Sequence, residues 1–182
     1  MKKLDKATRI LAKLVEVAHW IAAGTMLLML ALSFPDGTDI VRGVELATLG
    51  QSLSTYGFEM SVTAADGGVL LSALRLFCVS SVALLCPMAM VFRNIWLIMK
   101  RSESTTPFQK DNVRMVREIG FFLLSIPVIG LIMSGVARLT MGIDLVETSV
   151  GLDSFMVGLV VLCLSRIFAR GMELEADVDG LL

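Results

Sequence analysis

Apolar residues run along this chain in four long stretches, Ile10–Phe34, Val69–Met99, Ile119–Leu139 and Val150–Phe168, with shorter polar segments between them. About 20 consecutive apolar residues let an α-helix cross roughly 30 Å of hydrocarbon, and each stretch approaches or exceeds that length. The pattern predicts an all-α integral membrane protein. Its expected form is a four-transmembrane-helix bundle with spans near 10–34, 69–99, 119–139 and 150–168. The remaining segments are too short for a soluble catalytic domain, so 1–182 reads as a single membrane domain.

Segment 35–68 is the only sizeable piece between spans, and it is expected to form a small extracytoplasmic cap. Val44–Gly50 and Tyr56–Val62 carry partial apolar/polar alternation with turn-forming residues between them. That pattern suits a short β-hairpin folded over the bundle mouth; a short amphipathic helix on the outer surface is the alternative. Segment 100–118 forms the turn between spans two and three. There Thr106, Pro107 and Gln109 offer an N-cap, a first helical residue and the far side of a capping box. A helix starting there would lie along the membrane surface with Phe108, Val113 and Met115 towards lipid.

Charge fixes the orientation. Lys2, Lys3, Lys6, Arg9 and Lys13 precede or open the first span, and Arg93, Lys100, Arg101, Lys110, Arg114 and Arg117 flank the turn between spans two and three. The other two connections are acidic on balance: Arg42 stands against Asp36, Asp39, Glu45, Glu59 and Asp66, and Arg138 against Asp144, Glu147 and Asp153. The positive-inside rule places both termini and the middle turn in the cytoplasm. Lys13, Glu16 and His19 interrupt the first apolar run, and no small-x-small site follows Phe34, so that run reads as a retained anchor and not as a cleaved leader.

Composition supports the spans and narrows the chemistry. The chain is 55% hydrophobic and 18% charged with mean hydropathy +0.79. A net charge of −1 with no basic stripe away from the membrane flanks gives no sign of direct nucleic-acid binding. A single histidine, His19, cannot supply a His-Glu-x-x-His zinc site or paired haem ligands. Cys78, Cys86 and Cys163 lie inside spans, form no Cys-x-x-Cys and read as packing residues. No nucleophile, base and stabiliser converge, so neither an enzyme nor a cofactor is expected.

Charges inside the spans are the best functional candidates, because burying them in hydrocarbon is costly. Glu16 and His19 sit one turn apart near the inner end of the first span, with Arg93 and Arg166 at a similar depth on the second and fourth. Glu16 is expected to pair with Arg93 or Arg166. Towards the outer side, Arg75 or Arg138 could meet Asp153 or Glu147. Ala18 with Ala22, Gly130 with Ser134 and Ser154 with Gly158 form small-xxx-small pairs that permit close helix approach. Pro87 and Pro127 fall in mid-span and are expected to shape the bundle. At the C-terminus, Arg170-Gly171 leads into Glu173, Glu175, Asp177 and Asp179 in tail 171–182. Gly171 is expected to interrupt the last helix. The acidic tail would then engage Lys100, Arg101, Lys110, Arg114 and Arg117 of the basic turn, or a basic cytoplasmic protein.

Pro107-Phe108, Asn112-Val113 and Ile119-Gly120, together with Ile167-Phe168-Ala169-Arg170-Gly171 and the acidic residues after it, resemble two signatures of the YoaS-like bacterial membrane proteins, a domain-of-unknown-function 2975 type. Gly180-Leu181-Leu182 departs from the Leu-Thr-apolar ending expected of that group. The resemblance implies a four-span protein of unassigned activity in the bacterial cytoplasmic membrane, from a family often encoded beside small helix-turn-helix regulators. The expected role is a non-enzymatic membrane interaction or regulatory protein. Its partners would be the lipid bilayer, a cytoplasmic regulatory protein or a second copy of itself. The alternative is a small oligomeric transporter or channel subunit built around the ionisable residues.

Overall fold

A computed structural model describes the backbone of residues 2–34, 41–44, 52–63, 68–101, 109–142 and 148–179, with side chains between 6 and 174. Helix α1 covers Lys2–Leu32, α2 Leu71–Arg101, α3 Lys110–Met141 and α4 Asp153–Asp179. Strands β1 (Leu53–Thr55), β2 (Phe58–Met60) and β3 (Thr148–Val150) form one antiparallel sheet in that order. Among the described residues, four helices are long and apolar enough to cross a membrane: Lys6–Leu32, Leu71–Arg101, Lys110–Met141 and Asp153–Leu174. The all-α membrane architecture with a small sheet in the connections is therefore as expected, although α1, α3 and α4 outrun their apolar cores. α1 and α3 begin several residues earlier than the hydropathy alone indicates.

The chain divides into two compact units. The sheet unit comprises Trp20–Cys86 and Ile126–Asp153; the terminal unit comprises Met1–His19, Pro87–Ser125 and Ser154–Leu182.

In the sheet unit, β1 and β2 pair Leu53 with Met60 and Thr55 with Phe58 around a two-residue turn. Both turn residues have positive φ, Tyr56 at 50° and Gly57 at 78°. A two-residue hairpin turn with that backbone hand matches the twist of its strands. Gly57 is also required for space: a Cβ there would stand 3.2 Å from Gly151 Cα, where the Gly151 N–H donates to the Gly57 carbonyl at 2.7 Å. β2 alternates in burial, Phe58 and Met60 inward and Glu59 outward. Phe58 stacks on Phe77 of α2, and Gly130 of α3 admits Val150 and Phe58 against its backbone. Hydroxyl pairs Thr55–Ser81 and Ser134–Thr148 join the sheet to α2 and α3.

The predicted hairpin is thus real but shifted. Tyr56–Val62 holds the turn and β2, whereas the other strand is Leu53–Thr55. Residues 41–44 are helical, and 45–50 lie outside the described residues. The third strand comes from the distant connection between α3 and α4, which no local pattern announces. Gly130 and Ser134 serve this sheet and not a helix pair.

In the terminal unit, α3 and α4 approach closely at glycines. A Cβ on Gly158 would meet the Gly120 carbonyl at 3.1 Å, and one on Gly120 would meet Leu162 at 2.6 Å. Gly158 of the Ser154–Gly158 pair therefore does serve close approach. Ala18 does not: it is exposed, because α1 turns Ala12, Glu16 and His19 inward on a different face. The capping box expected at α3 rests on Thr106, outside the described residues. Gln109 precedes the helix and accepts the first bond from the Val113 N–H at 3.0 Å, while Thr106–Phe108 lie outside the described residues. Met115 is buried and Val113 half-buried, so this part of α3 packs inward where a lipid-facing surface was expected. Gly171 does not end α4, which continues to Asp179. One glycine costs about 1 kcal/mol in a helix, too little to break a run flanked by Ala169, Met172 and Leu174.

Candidate functional site

Three polar groupings lie in the terminal unit. The first belongs to α1 and α2. Glu16 is 6% exposed and accepts from Lys13 Nζ at 2.9 Å, one turn earlier on its own helix. Lys13 and Lys100 both stand over the Trp96 ring, 4.9 and 5.0 Å from its centroid. A cation over an indole face is held by the ring quadrupole, so Trp96 holds both lysines. One turn along α1, a His19 ring nitrogen lies 2.7 Å from the Val15 carbonyl, and the ring packs on Phe92. The pairing expected for Glu16 is corrected: its partner is Lys13, not Arg93 or Arg166. A lysine three residues away needs no second helix to reach the carboxylate.

The second grouping is an open cleft of about 360 Å³ at the joined ends of α2 and α3. Arg101 pairs with Asp111 at 2.8 Å and Arg114 with Glu118 at 2.9 Å, while Asn94 Nδ2 donates to the other Glu118 oxygen at 3.3 Å. Arg93 lines the same cleft without an ion pair among the described residues. The cleft floor includes Met90, Leu97 and Met115.

The third grouping is a groove of about 600 Å³ between α3 and α4, floored by Phe121, Leu159, Leu162 and Cys163 and edged by Arg117 and Arg166. A recess of about 580 Å³ continues along α4 past Arg166, Arg170 and Glu173. Met172 lines a smaller recess together with Lys110, Asp111 and Arg114. Of the acidic tail, Glu175, Asp177 and Asp179 lie beyond the described side chains.

The sheet unit carries the remaining predicted residues. Arg75 was expected to meet Asp153 or Glu147. Instead, its Nε donates to Ser33 Oγ at 3.1 Å, its Nη2 donates to the Ser33 carbonyl, and its guanidinium lies over Phe34 at 4.7 Å. Carbonyls at a helix C-terminus lack intrahelical donors, and a cation there is favoured by the helix dipole. Arg75 thus caps α1. Asp153 is exposed in the first turn of α4 and Arg138 is exposed in the last turn of α3, neither with an ion pair among the described residues; Glu147 lies outside them. Outside the spans, partial burial raises the Tyr56 phenol pKa above its usual value.

Sequence reasoning missed Trp96, Asn94, Glu118, Ser33 and Phe34. Two signals were available, the Trp96–Lys100 spacing and the Arg114–Glu118 spacing, both one helical turn. Ser33 carried none, because its role depends on α2 passing beside the end of α1.

Long apolar helices with charges gathered at their ends, and a sheet built from the connections, define a four-helix membrane-type protein. Its family is equally clear. The sequence model of a family described as protein of unknown function (DUF2975) matches residues 16–180, and the chain belongs to that family. No curated protein and no solved structure matches the chain.

Proposed function

We propose that this chain is a non-enzymatic, multi-pass protein of the bacterial cytoplasmic membrane that works by binding a partner protein at its cytoplasmic face. The cation distribution puts both termini and the α2–α3 ends on that face. The observation that carries the reading is the α2–α3 cleft. Three guanidiniums and two carboxylates line one open depression, four of these charges in two ion pairs and Arg93 in neither. Such a set holds charge; it does not attack a bond. A surface of both signs with an apolar floor suits a protein segment that carries charges of both signs and apolar anchors.

The conduit reading relied on ionisable residues within the spans. Glu16 and Arg75 are each engaged by a neighbour, Lys13 and Ser33, which leaves them as fastenings.

Purification of the full chain from its native membrane in mild detergent, with mass analysis of what travels with it, tests the proposal. A stoichiometric soluble partner that is lost in Arg93→Glu is expected. A chain accompanied only by copies of itself would overturn the reading and make solute flux in liposomes the next assay.

A further inference from the structure

We propose that the groove between α3 and α4 is a binding site for an anionic phospholipid, with the acyl chains on its apolar floor and the phosphate among Arg117, Arg166 and Arg170. This site lies outside the cleft proposed for the protein partner.

The floor is apolar and open: Phe121 is 57% and Ile167 66% exposed, and Leu159, Leu162 and Cys163 complete it. Its one buried hydroxyl, Ser165, donates to the Leu162 carbonyl at 2.7 Å and so presents no free donor to the groove. An extended protein segment laid there would bring backbone groups with nothing to satisfy them, whereas acyl chains bring none. The tight Gly120–Gly158 approach fixes where the two helices meet.

Charge completes the assignment. Arg117 and Arg166 edge the groove, and Arg166 and Arg170 line the recess that continues from it. Arg117, Arg166 and Arg170 are exposed, and none has an ion pair among the described residues. Among the described residues, Glu173 is the single carboxylate lining that recess, against two arginines there and a third across the groove. On the orientation given by the positive-inside rule, these three cations stand at the headgroup level of the inner leaflet, directly beyond an apolar surface. Guanidinium presents a planar fork that matches phosphate oxygens, and anionic lipid at that depth is the phosphate source at hand. Cations held inside by topology alone would need no apolar groove beneath them.

Native mass spectrometry of the full chain in detergent, titrated with phosphatidylglycerol or phosphatidylcholine, tests the site. Each basic residue near an anionic surface contributes about 1 kcal/mol, so the double variant Arg117→Gln/Arg166→Gln should lose phosphatidylglycerol retention by about tenfold or more. Lys3→Gln/Lys6→Gln removes the same charge elsewhere at the same end and should leave retention within about twofold. Cys163→Trp fills the groove without touching charge and should also displace the lipid, with thermal unfolding confirming that each variant is folded. Equal retention of both lipids by the wild type, or equal losses in the arginine and lysine variants, would overturn the proposal. Retention unaffected by Cys163→Trp would overturn the placement of the acyl chains.

Discussion

Arg75 in the sheet unit and four arginines in the terminal unit meet opposite fates. In the sheet unit, Arg75 is half-buried, donates to Ser33 through two nitrogens and lies against Phe34. In the terminal unit, Arg93, Arg117, Arg166 and Arg170 are exposed and have no ion pair among the described residues. What separates them is the presence of a helix end. The carbonyls that close α1 have no donors of their own, and Arg75 is the cation that reaches them. The others flank packed helix sides, where backbone groups are already bonded. At the end of α1 the charge becomes structure; on the sides of α2, α3 and α4 these four charges remain available to a ligand.

The two units can be set against one another by substitution. The largest effect is expected in the sheet unit at Phe58, which is 1% exposed and stacks on Phe77. Phe58→Ala should destabilise by about 3–5 kcal/mol, by the lost burial and the cavity left between sheet and helices. Thermal unfolding in detergent measures it, and a loss below about 1 kcal/mol would mean that the sheet is an ornament on the helices.

Next comes the arginine contrast itself. Arg75→Gln removes the donor from the α1 terminus and leaves a carbonyl without its partner, at a cost of about 1–3 kcal/mol. Arg93→Gln, in contrast, should change stability by no more than about 0.5 kcal/mol, as exposed substitutions do. Equal losses from both would erase the distinction between the units. A smaller effect is expected at Lys13→Gln. Its partner Glu16 is buried but Lys13 itself is half-exposed, and a pair of this kind contributes about 0.5 kcal/mol. A loss comparable to that of Arg75→Gln would mean that Glu16 depends on Lys13 for its burial.

The sequence made the helices legible because lipid imposes a length and a polarity that hydropathy reads directly. Charge at the span ends was legible too, as residue identity; Arg166 and Arg117 were both singled out before their common groove was known. Partners were not legible. Glu16 found Lys13 because an i,i+3 neighbour costs less order than a residue on another helix. Arg75 found Ser33 because α1 ends there, which no periodicity in α2 encodes. β3 is paired across a separation of about ninety residues, Glu59 to Ser149, and three residues are too few to register as a strand on their own. Gly171 misled because a glycine reads as a break, whereas continuous helix on both sides outweighs its cost.

The smallest effect at neutral pH is expected at Tyr56, in the turn that starts the sheet. Partial burial raises its phenol pKa, so the folded state holds the proton more tightly than the unfolded chain does. The sign follows from linkage. Below the ordinary tyrosine pKa, near 10, both states are protonated and the group adds no pH dependence. As pH rises past that value the unfolded chain releases its proton first, and stability falls until the folded phenol also ionises. Tyr56→Phe should therefore leave the unfolding temperature at pH 7 nearly unchanged and flatten its decline above about pH 10. Because the turn belongs to the sheet unit, the flattening should appear in Phe58-sensitive unfolding and leave lipid retention at Arg117 and Arg166 untouched. An alkaline decline identical in wild type and Tyr56→Phe would show that the hairpin turn does not hold its phenol away from water.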